Sequence, residues 1–237
     1  MTRKNINLLF LLITTNIFSQ NNEIGFFAGG ANYIGDVGPT TYIQPFSQNA
    51  SNNLVAGIIY RKNFNDRISA RAKFNYAKIG SSDNWSNTVD YRKERGLYFR
   101  NRVVEFGLGI DFNFLKFDVL DSSFQMTPYI STGISIFEYD PLRYGIGELE
   151  ATQYGDASNL SLPITLGYKI KPLNDFILSF EITANHSFTD NLDGSQPGEK
   201  QKSSSYYFGS TLSQDWYVFS GISLTYIFGT KKCYCPN

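Results

Sequence analysis

The sequence predicts an all-β fold, an eight-stranded antiparallel transmembrane β-barrel with short periplasmic turns and long external loops. Three features indicate it: segments in which large apolar residues alternate with small or polar ones, connections that are alternately short and long, and an N-terminal export signal. The alternation is clearest over residues 104–114, where it places the apolar side chains on one face of a strand. A strand of this length can cross a membrane, which takes roughly 9–11 tilted residues. The apolar positions are Val104, Phe106, Leu108, Ile110, Phe112 and Phe114.

Composition limits the possible functions. The 237 residues include 21 basic and 21 acidic side chains, so no net field attracts nucleic acid, and we expect no nucleic-acid partner. Beyond the N-terminus no stretch approaches the 18 uninterrupted apolar residues of a transmembrane helix. A membrane location therefore requires a barrel, with outer-membrane lipid as its surroundings.

The first 20 residues have the pattern of a signal peptide. Arg3 and Lys4 precede an apolar run over residues 6–13, and small or polar residues follow up to Gln20. The run is too short to span a bilayer; the alternative is a buried first helix. We expect residues 1–20 to be the signal peptide, 21–229 the barrel and 230–237 a periplasmic tail.

Eight strands are expected after the signal. The first is rich in glycine, so its two faces cannot be assigned from the pattern. An even number of long strands with two different faces is what a membrane barrel requires. The predicted strands cover residues 23–33, 54–62, 68–76, 104–114, 126–137, 160–170, 176–185 and 221–228.

The lengths of the connections predict the orientation of the barrel in the membrane. They are short at residues 63–66 and 171–175 and moderate near 116–123. Outer-membrane barrels have short periplasmic turns and long external loops, so this alternation predicts an outer-membrane protein with both termini in the periplasm. The long connections are residues 34–53, 79–101, 138–158 and 189–212.

Alternation alone does not say which face is inside, and a lipocalin-type soluble barrel would have its apolar face inward. Two features favour the membrane. The last strand ends on aromatic residues at 226–228, resembling the C-terminal strand that the barrel-assembly machinery reads. Aromatic residues also lie near other strand ends, where the girdles of a membrane barrel belong. They are Tyr60, Tyr76, Phe112, Phe114, Tyr226 and Phe228.

If the apolar face of each strand points to the lipid, the charged residues at the alternate positions lie inside the barrel. Facing lipid near the membrane centre, each Arg or Lys would cost about 2–4 kcal/mol. An eight-stranded barrel has an interior that side chains just fill, and an unpaired buried charge is costly. We therefore expect a lumenal charge network that pairs across a closed interior without a conducting pore. Its predicted members are Arg61, Arg71, Lys73, Glu105, Asp111, Lys169 and Glu181.

The sequence predicts no catalytic, cofactor-binding or metal-binding residues, and so a protein that is not an enzyme. The single histidine, His186, precedes Ser187, and some outer-membrane lipid hydrolases use His and Ser on a barrel wall. Adjacent strand residues point to opposite faces, so these two cannot act as base and nucleophile. One His and two Cys cannot complete a structural zinc site unaided.

Cys233 and Cys235 lie in the C-terminal tail, on the periplasmic side of the predicted barrel. Free thiols rarely persist in that oxidising compartment. A bond between the two closes a cramped ring with poor disulfide geometry. Both a local disulfide and a disulfide to a partner protein therefore remain open.

Several segments together resemble the PorG family, the small outer-membrane barrels of the type IX secretion system. The resemblance implies a non-enzymatic part that tethers a periplasmic ring, built from a lipoprotein and its partner of the PorK/PorN or GldK/GldN type, to the outer membrane. It makes Cys233 and Cys235 candidate partner-binding residues, with turns 63–66 and 171–175 as secondary contacts. The similar segments are residues 29–36, 95–101, 127–130, 188–193, 215–217 and 233–236.

The alternative is an OmpA-like surface-binding or adhesion barrel that acts through its external loops. Aromatic residues in those loops would then make the contacts. They are Trp85, Tyr91, Tyr144, Tyr154, Tyr206 and Tyr207.

Overall fold

A computed structural model describes residues 21–39, 53–85, 88–173, 175–201, 205–209 and 214–229. The predicted signal peptide and the tail that carries Cys233 and Cys235 lie outside these residues. No helix in the described ranges has the length and apolar character needed to cross a bilayer. The strands are β1 (Asn22–Ile34), β2 (Leu54–Asn63), β3 (Ile68–Ser82), β4 (Tyr98–Asn113), β5 (Gln125–Tyr139), β6 (Leu142–Gly145), β7 (Thr152–Gln153), β8 (Ala157–Leu173), β9 (Phe176–Ser187), β10 (Ser205–Tyr206) and β11 (Trp216–Phe228), and the helix is α1 (Asp90–Arg95).

The eight long strands form a closed barrel in the order β1-β2-β3-β4-β5-β8-β9-β11, and β11 pairs back onto β1. Every neighbouring pair is antiparallel. The predicted eight-stranded antiparallel barrel is confirmed. The three short strands form a separate sheet in the order β10-β6-β7.

The alternation in the sequence maps onto the two faces of the wall. On β4, Leu108 and Ile110 are 53% and 59% exposed, whereas Glu105 and Asp111 are buried. A period of two thus points the apolar side chains outward and the charged ones inward. A lipocalin-type barrel would have the reverse arrangement, so that alternative is wrong.

The strands at one end of the barrel are longer than predicted. β3 continues to Ser82 and β4 begins at Tyr98, so residues 79–82 and 98–101 are strand, although the sequence analysis assigned them to a long loop. The two strands pair there through Ser81 and Phe99. The reason is that the pattern changes in this region, because large apolar side chains such as Phe99 and Ile79 are now buried inside.

The two ends of the barrel differ. We call the end with the short connections the turn end; it carries residues 64–67 between β2 and β3 and residues 114–124 between β4 and β5. We call the opposite end the loop end; it carries α1, the three-stranded sheet and residues 188–195 between β9 and β10.

Candidate functional site

The barrel interior is the candidate site, and Arg61 on β2 lies at its centre. Its guanidinium donates to the carboxylates of Glu181 at 2.6 Å, Asp111 at 2.9 Å and Glu23 at 3.4 Å. All four side chains are inaccessible to solvent. Arg61 therefore joins three other strands, β9, β4 and β1.

Glu181 on β9 is the second centre of the network. One carboxylate oxygen accepts from Arg71 Nη2 at 2.8 Å and from Lys73 Nζ at 3.0 Å, while the other accepts from Arg61. On the other side of Arg61, Lys169 Nζ lies 3.2 Å from Asp111. The structure therefore brings six of the seven predicted lumenal residues into one set of ion pairs.

Glu105, the seventh, is held differently. Its carboxylate accepts from Tyr217 OH at 2.6 Å and from Asn75 Nδ2 at 3.0 Å. Within the described residues no basic group comes within ion-pair distance of it. Its hydrogen-bond partners are therefore neutral donors, and the charges of Lys73 and Arg71 act on it only from beyond ion-pair distance.

Glu23 is a member of the network that the sequence reasoning missed. It lies on glycine-rich β1, whose faces were not assigned, and its Cα partner is Arg61. Its carboxylate also accepts from Thr225 and Asn63. Once β1 is paired with β2, the inward position of Arg61 places Glu23 inside as well.

With Glu23 included, the charges of the network balance. Four basic residues (Arg61, Arg71, Lys73, Lys169) face four acidic ones (Glu23, Glu105, Asp111, Glu181).

An aromatic layer fills the interior on the loop-end side of the network. Phe137 and Tyr217 lie 5.4 Å apart and Tyr217 and Phe219 lie 5.1 Å apart, measured between ring centroids. Lys73 Nζ is 3.6 Å from the ring centroid of Phe27, so a cation–π contact joins this layer to the charges. The alternation used for the sequence analysis did not predict aromatic residues inside the barrel.

The turn end is filled by the connection between β4 and β5. Phe117 and Val119 pack against the inward-facing Ile177 and Ile227. Lys171 Nζ donates to the carbonyl oxygen of Val119 at 2.7 Å and also to that of Asp121. This connection therefore acts as a plug inside the turn end.

The space that remains beside the network is small. A cavity of about 30 Å³ borders Arg71, Lys73, Glu105 and Thr165. A water molecule needs about 10–15 Å³ of cavity volume measured in this way, so the cavity has room for two or three waters. The interior side chains between the aromatic layer and the plug, among them Arg61, Asp111 and Glu181, are buried.

Two buried aspartates, Asp193 and Asp215, and the half-buried Asp190 lie at the loop end. The Asp215 carboxylate accepts from Tyr33 OH at 2.5 Å and from the Leu192 backbone N–H at 2.9 Å. Burial and the neighbouring Asp193 raise the pKa of Asp215 well above its usual range. Burial likewise raises the pKa of Asp193, and burial with the charges of Asp193 and Asp36 raises the pKa of Asp190 to about 7. The raised pKa values favour the protonated forms of these carboxyl groups, and neutral donors supply the hydrogen bonds to Asp215 and Asp193.

A second set of contacts ties the loops of this end together. Arg95 on α1 donates to Asp83 at 2.8 Å and to the backbone carbonyl of Asp36 at 2.7 Å. Asp83 also accepts from the Gly38 N–H at 2.8 Å. In the described part of the chain, no group of three or more His, Cys, Asp or Glu side chains is arranged to hold a metal ion.

His186 and Ser187 face opposite sides of β9. The His186 ring packs edge-on against Trp216 at 4.7 Å and Phe188 at 5.2 Å. Ser187 is buried inside, where its hydroxyl donates to the Asp215 carbonyl at 2.7 Å. The two side chains cannot share a proton, so they do not form a nucleophile and base.

The residues expected to contact partners are placed only in part. Cys233 and Cys235 lie outside the described residues. In turn 63–66, Phe64 is exposed, and in 171–175 Leu173 is exposed while residue 174 is not described. Among the loop aromatics, Tyr91 and Tyr207 are exposed, but Tyr144 is fully buried and stacks near Phe208. The expectation that Tyr144 offers a contact surface is therefore wrong, because its side chain is buried at the loop end, where its ring lies 5.6 Å from that of Phe208.

Comparison with known proteins identifies the family. The chain belongs to the family described as "Domain of unknown function (DUF6089)", whose model matches residues 2–237. No curated protein matches the chain.

Solved outer-membrane barrels have a similar chain trace. Ail, the attachment invasion locus protein of Yersinia pestis, was solved with the heparin analogue sucrose octasulfate; it is 12% identical with a TM-score of 0.46, over 89% of this chain and 99% of that one. Neisserial surface protein A is 11% identical with a TM-score of 0.47, over 87% and 97%. The N-terminal barrel domain of Pseudomonas aeruginosa OprF is 10% identical with a TM-score of 0.44, over 89% and 99%.

Proposed function

We propose that this member of the DUF6089 family is a non-enzymatic outer-membrane component of the type IX secretion machinery. It tethers the periplasmic ring, built from a lipoprotein and its PorK/PorN- or GldK/GldN-type partner, to the outer membrane. One observation carries the proposal: a closed barrel whose interior is filled by ion pairs, an aromatic layer and a plug. Such a barrel cannot conduct solutes, so its function lies at its ends.

The outward face supports the membrane location. It presents large apolar side chains along the strands, among them Phe26 at 73% and Leu166 at 61% exposure. Exposed apolar patches of more than a few hundred Å² are rare on soluble monomers and mark interaction or membrane surfaces. In the proposed location, the lipid bilayer covers this apolar face on every strand.

The turn end is the end we propose to bind the ring. β1 begins there at Asn22 and β11 ends there at Phe228, and Cys233 and Cys235 follow β11 in the sequence. In the orientation that we propose, with short turns in the periplasm as in other outer-membrane barrels, this end would face the periplasmic ring. The assignment to this particular machinery comes from the sequence resemblance to the PorG family.

The test is a pull-down of the tagged barrel from detergent-solubilised outer membrane, with and without reductant. We expect a periplasmic ring lipoprotein to co-purify and, without reductant, to migrate with the barrel as a larger species. Cys233→Ser and Cys235→Ser variants should lose this species, whereas Ser179→Ala, inside the barrel, should keep it. Recovery of a monomeric barrel without ring proteins would refute the tether.

The second candidate is a surface-binding or adhesion barrel, favoured by exposed apolar side chains at the loop end. Ile146 is 81%, Tyr207 58% and Leu149 54% exposed. Replacing these three with Ser and truncating the chain after Phe228 give opposite results under the two proposals. Loss of function on truncation supports the tether, and loss on changing the loop side chains supports adhesion.

A further inference from the structure

We propose that Lys78 and Arg100, which we call the rim patch, bind the phosphate groups of lipid A, the phosphorylated glycolipid of an outer-membrane leaflet. The inference rests on the proposed outer-membrane location and adds a ligand class and a site to it. Both side chains are exposed, and both lie on the outward parity of adjacent strands, β3 and β4.

The rim patch continues the apolar outer face. On β3 the outward positions before Lys78 are Phe74 and Tyr76, 47% and 44% exposed. On β4 the outward series runs from Phe112 through Phe106 to Val104 and then reaches Arg102 and Arg100. Lys78 therefore follows directly after the apolar surface of β3, and Arg100 lies one outward position beyond Arg102, on the side of the loop end.

The height of the patch matches a leaflet boundary. Phe112 and Ile68 are Cα partners, and ten residues further along, Arg102 and Lys78 are partners again. At about 3.4 Å per residue and a strand tilt of about 40°, ten residues rise about 26 Å along the barrel axis. The apolar band of a membrane barrel is about 25 Å tall, so Lys78 lies at the level of the headgroups and Arg100 just above it.

Arg102 separates the patch from nearby acidic residues. Its Nη2 lies 3.0 Å from Asp140, 3.5 Å from Asp156 and 3.9 Å from Glu138, so Arg102 is held by three acids whose combined charge exceeds its own by two. In the described part of the chain no carboxylate lies within ion-pair distance of Lys78 or Arg100. The two cations of the rim patch keep their charge free for a ligand.

The pairing of the strands lets one phosphate reach both cations. Lys78 lies opposite Arg102, and Arg100 lies opposite Gly80, so Lys78 and Arg100 are diagonal neighbours. Diagonal neighbours in an antiparallel pair are about 7–8 Å apart, within reach of two long side chains that converge on one group. An ammonium and a guanidinium are the groups that bind phosphate in proteins.

The experiment measures lipid A binding to the refolded, detergent-solubilised barrel by native mass spectrometry. Each basic residue near an anionic membrane surface contributes about fivefold to binding, so Lys78→Gln with Arg100→Gln should weaken lipid A binding about 25-fold. Dephosphorylated lipid A should bind wild type as weakly as lipid A binds this double variant. The charge-conserving Lys78→Arg variant should bind like wild type.

The matched control removes the same charge from the turn end through Lys62→Gln with Lys116→Gln, and lipid A binding should persist. Equal losses in both double variants, or equal binding of phosphorylated and dephosphorylated lipid A by wild type, would overturn the assignment. Insertion into phosphatidylcholine vesicles is measured in parallel for every variant. A wild-type barrel that inserts but ignores lipid A refutes the rim patch alone, whereas a chain that inserts into no bilayer refutes the outer-membrane proposal.

Discussion

Replacing Glu181 with Gln tests whether the interior charges hold the barrel together. The substitution keeps the shape of the side chain but removes the negative charge that Arg61, Arg71 and Lys73 share. Gln can still accept from Arg61 through one oxygen, but its amide nitrogen then faces the donors of the other two residues. Removing one member of a buried ion pair costs about 3–5 kcal/mol, and we expect a loss of that size here.

The assay is guanidinium unfolding of the barrel refolded into detergent or lipid vesicles, followed by tryptophan fluorescence and by the mobility of unheated samples on SDS gels. Glu181→Gln should lower the free energy of unfolding by about 3–5 kcal/mol. Adding Lys73→Met restores the balance, with three basic residues facing three acidic ones. Because residues in one network couple, this second change should recover about half of the loss or more.

Ser179→Ala provides the matched control. Ser179 lies two residues from Glu181 on the inner face of β9, and its buried hydroxyl has no hydrogen-bond partner in the described residues. Removing it should change the stability by less than about 1 kcal/mol. If Glu181→Gln proves as stable as Ser179→Ala, or if adding Lys73→Met destabilises it further, the network does not hold the barrel closed.

Two further predictions concern the loop end and the barrel wall. Because burial raises the pKa of Asp190 from 3.8 in an unfolded chain to about 7, the loop around it should be most stable below pH 3.8 and lose stability as the pH rises through 7. The hydrogen-exchange rate of the Leu192 amide should therefore rise with pH more than its intrinsic pH dependence explains, with a midpoint near pH 7. Asp190→Asn should abolish this additional rise. If the variant keeps the same midpoint, another group is responsible for the titration. Gly133→Ala should prevent refolding, because its Cβ would lie 2.0 Å from the Leu108 carbonyl oxygen, whereas Gly155→Ala, whose Cβ meets no atom closer than 3.9 Å, should refold like wild type on SDS gels.

The sequence predicted the barrel because one physical rule governs the middle of every strand. Where the outside is apolar and the inside polar, side chains alternate with a period of two, and residues 104–114 follow that rule throughout. The rule fails at the loop end, where Phe99 and Ile79 are buried inside the barrel. Strand residues 79–82 and 98–101 were therefore assigned to a loop. Which face of a strand is apolar depends on what fills the interior at that height, and a local pattern does not contain that information.

The same distinction explains the candidate site. Arg61, Asp111 and Glu181 were predicted to lie inside because each occupies a position on the polar face of its alternating strand. Glu23 was missed, since the glycines of β1 give no contrast between its faces. The individual pairings were not predictable, because they join strands far apart in sequence; Arg61 and Glu181 are separated by 120 residues. Whether a residue belongs to the network follows from its place in the alternation of its own strand. Which residues it pairs with depends on how the strands close into a barrel.

The geometry of the network is suited to an anchor. In the circular strand order, β3 and β9 are four positions apart, on opposite sides of the barrel, and Glu181 joins them through Arg71 and Lys73. β4 and β11 are also opposite, and Tyr217 OH joins them by donating to Glu105 at 2.6 Å. Hydrogen bonds of the wall link only neighbouring strands, so flattening the barrel would strain them little. The cross-barrel bonds must stretch or break when the section is deformed, and bonds to charged groups are roughly twice as strong as neutral ones. A barrel braced across its diameter keeps its cross-section when it is pulled or pressed from the side, which suits the tether that we propose.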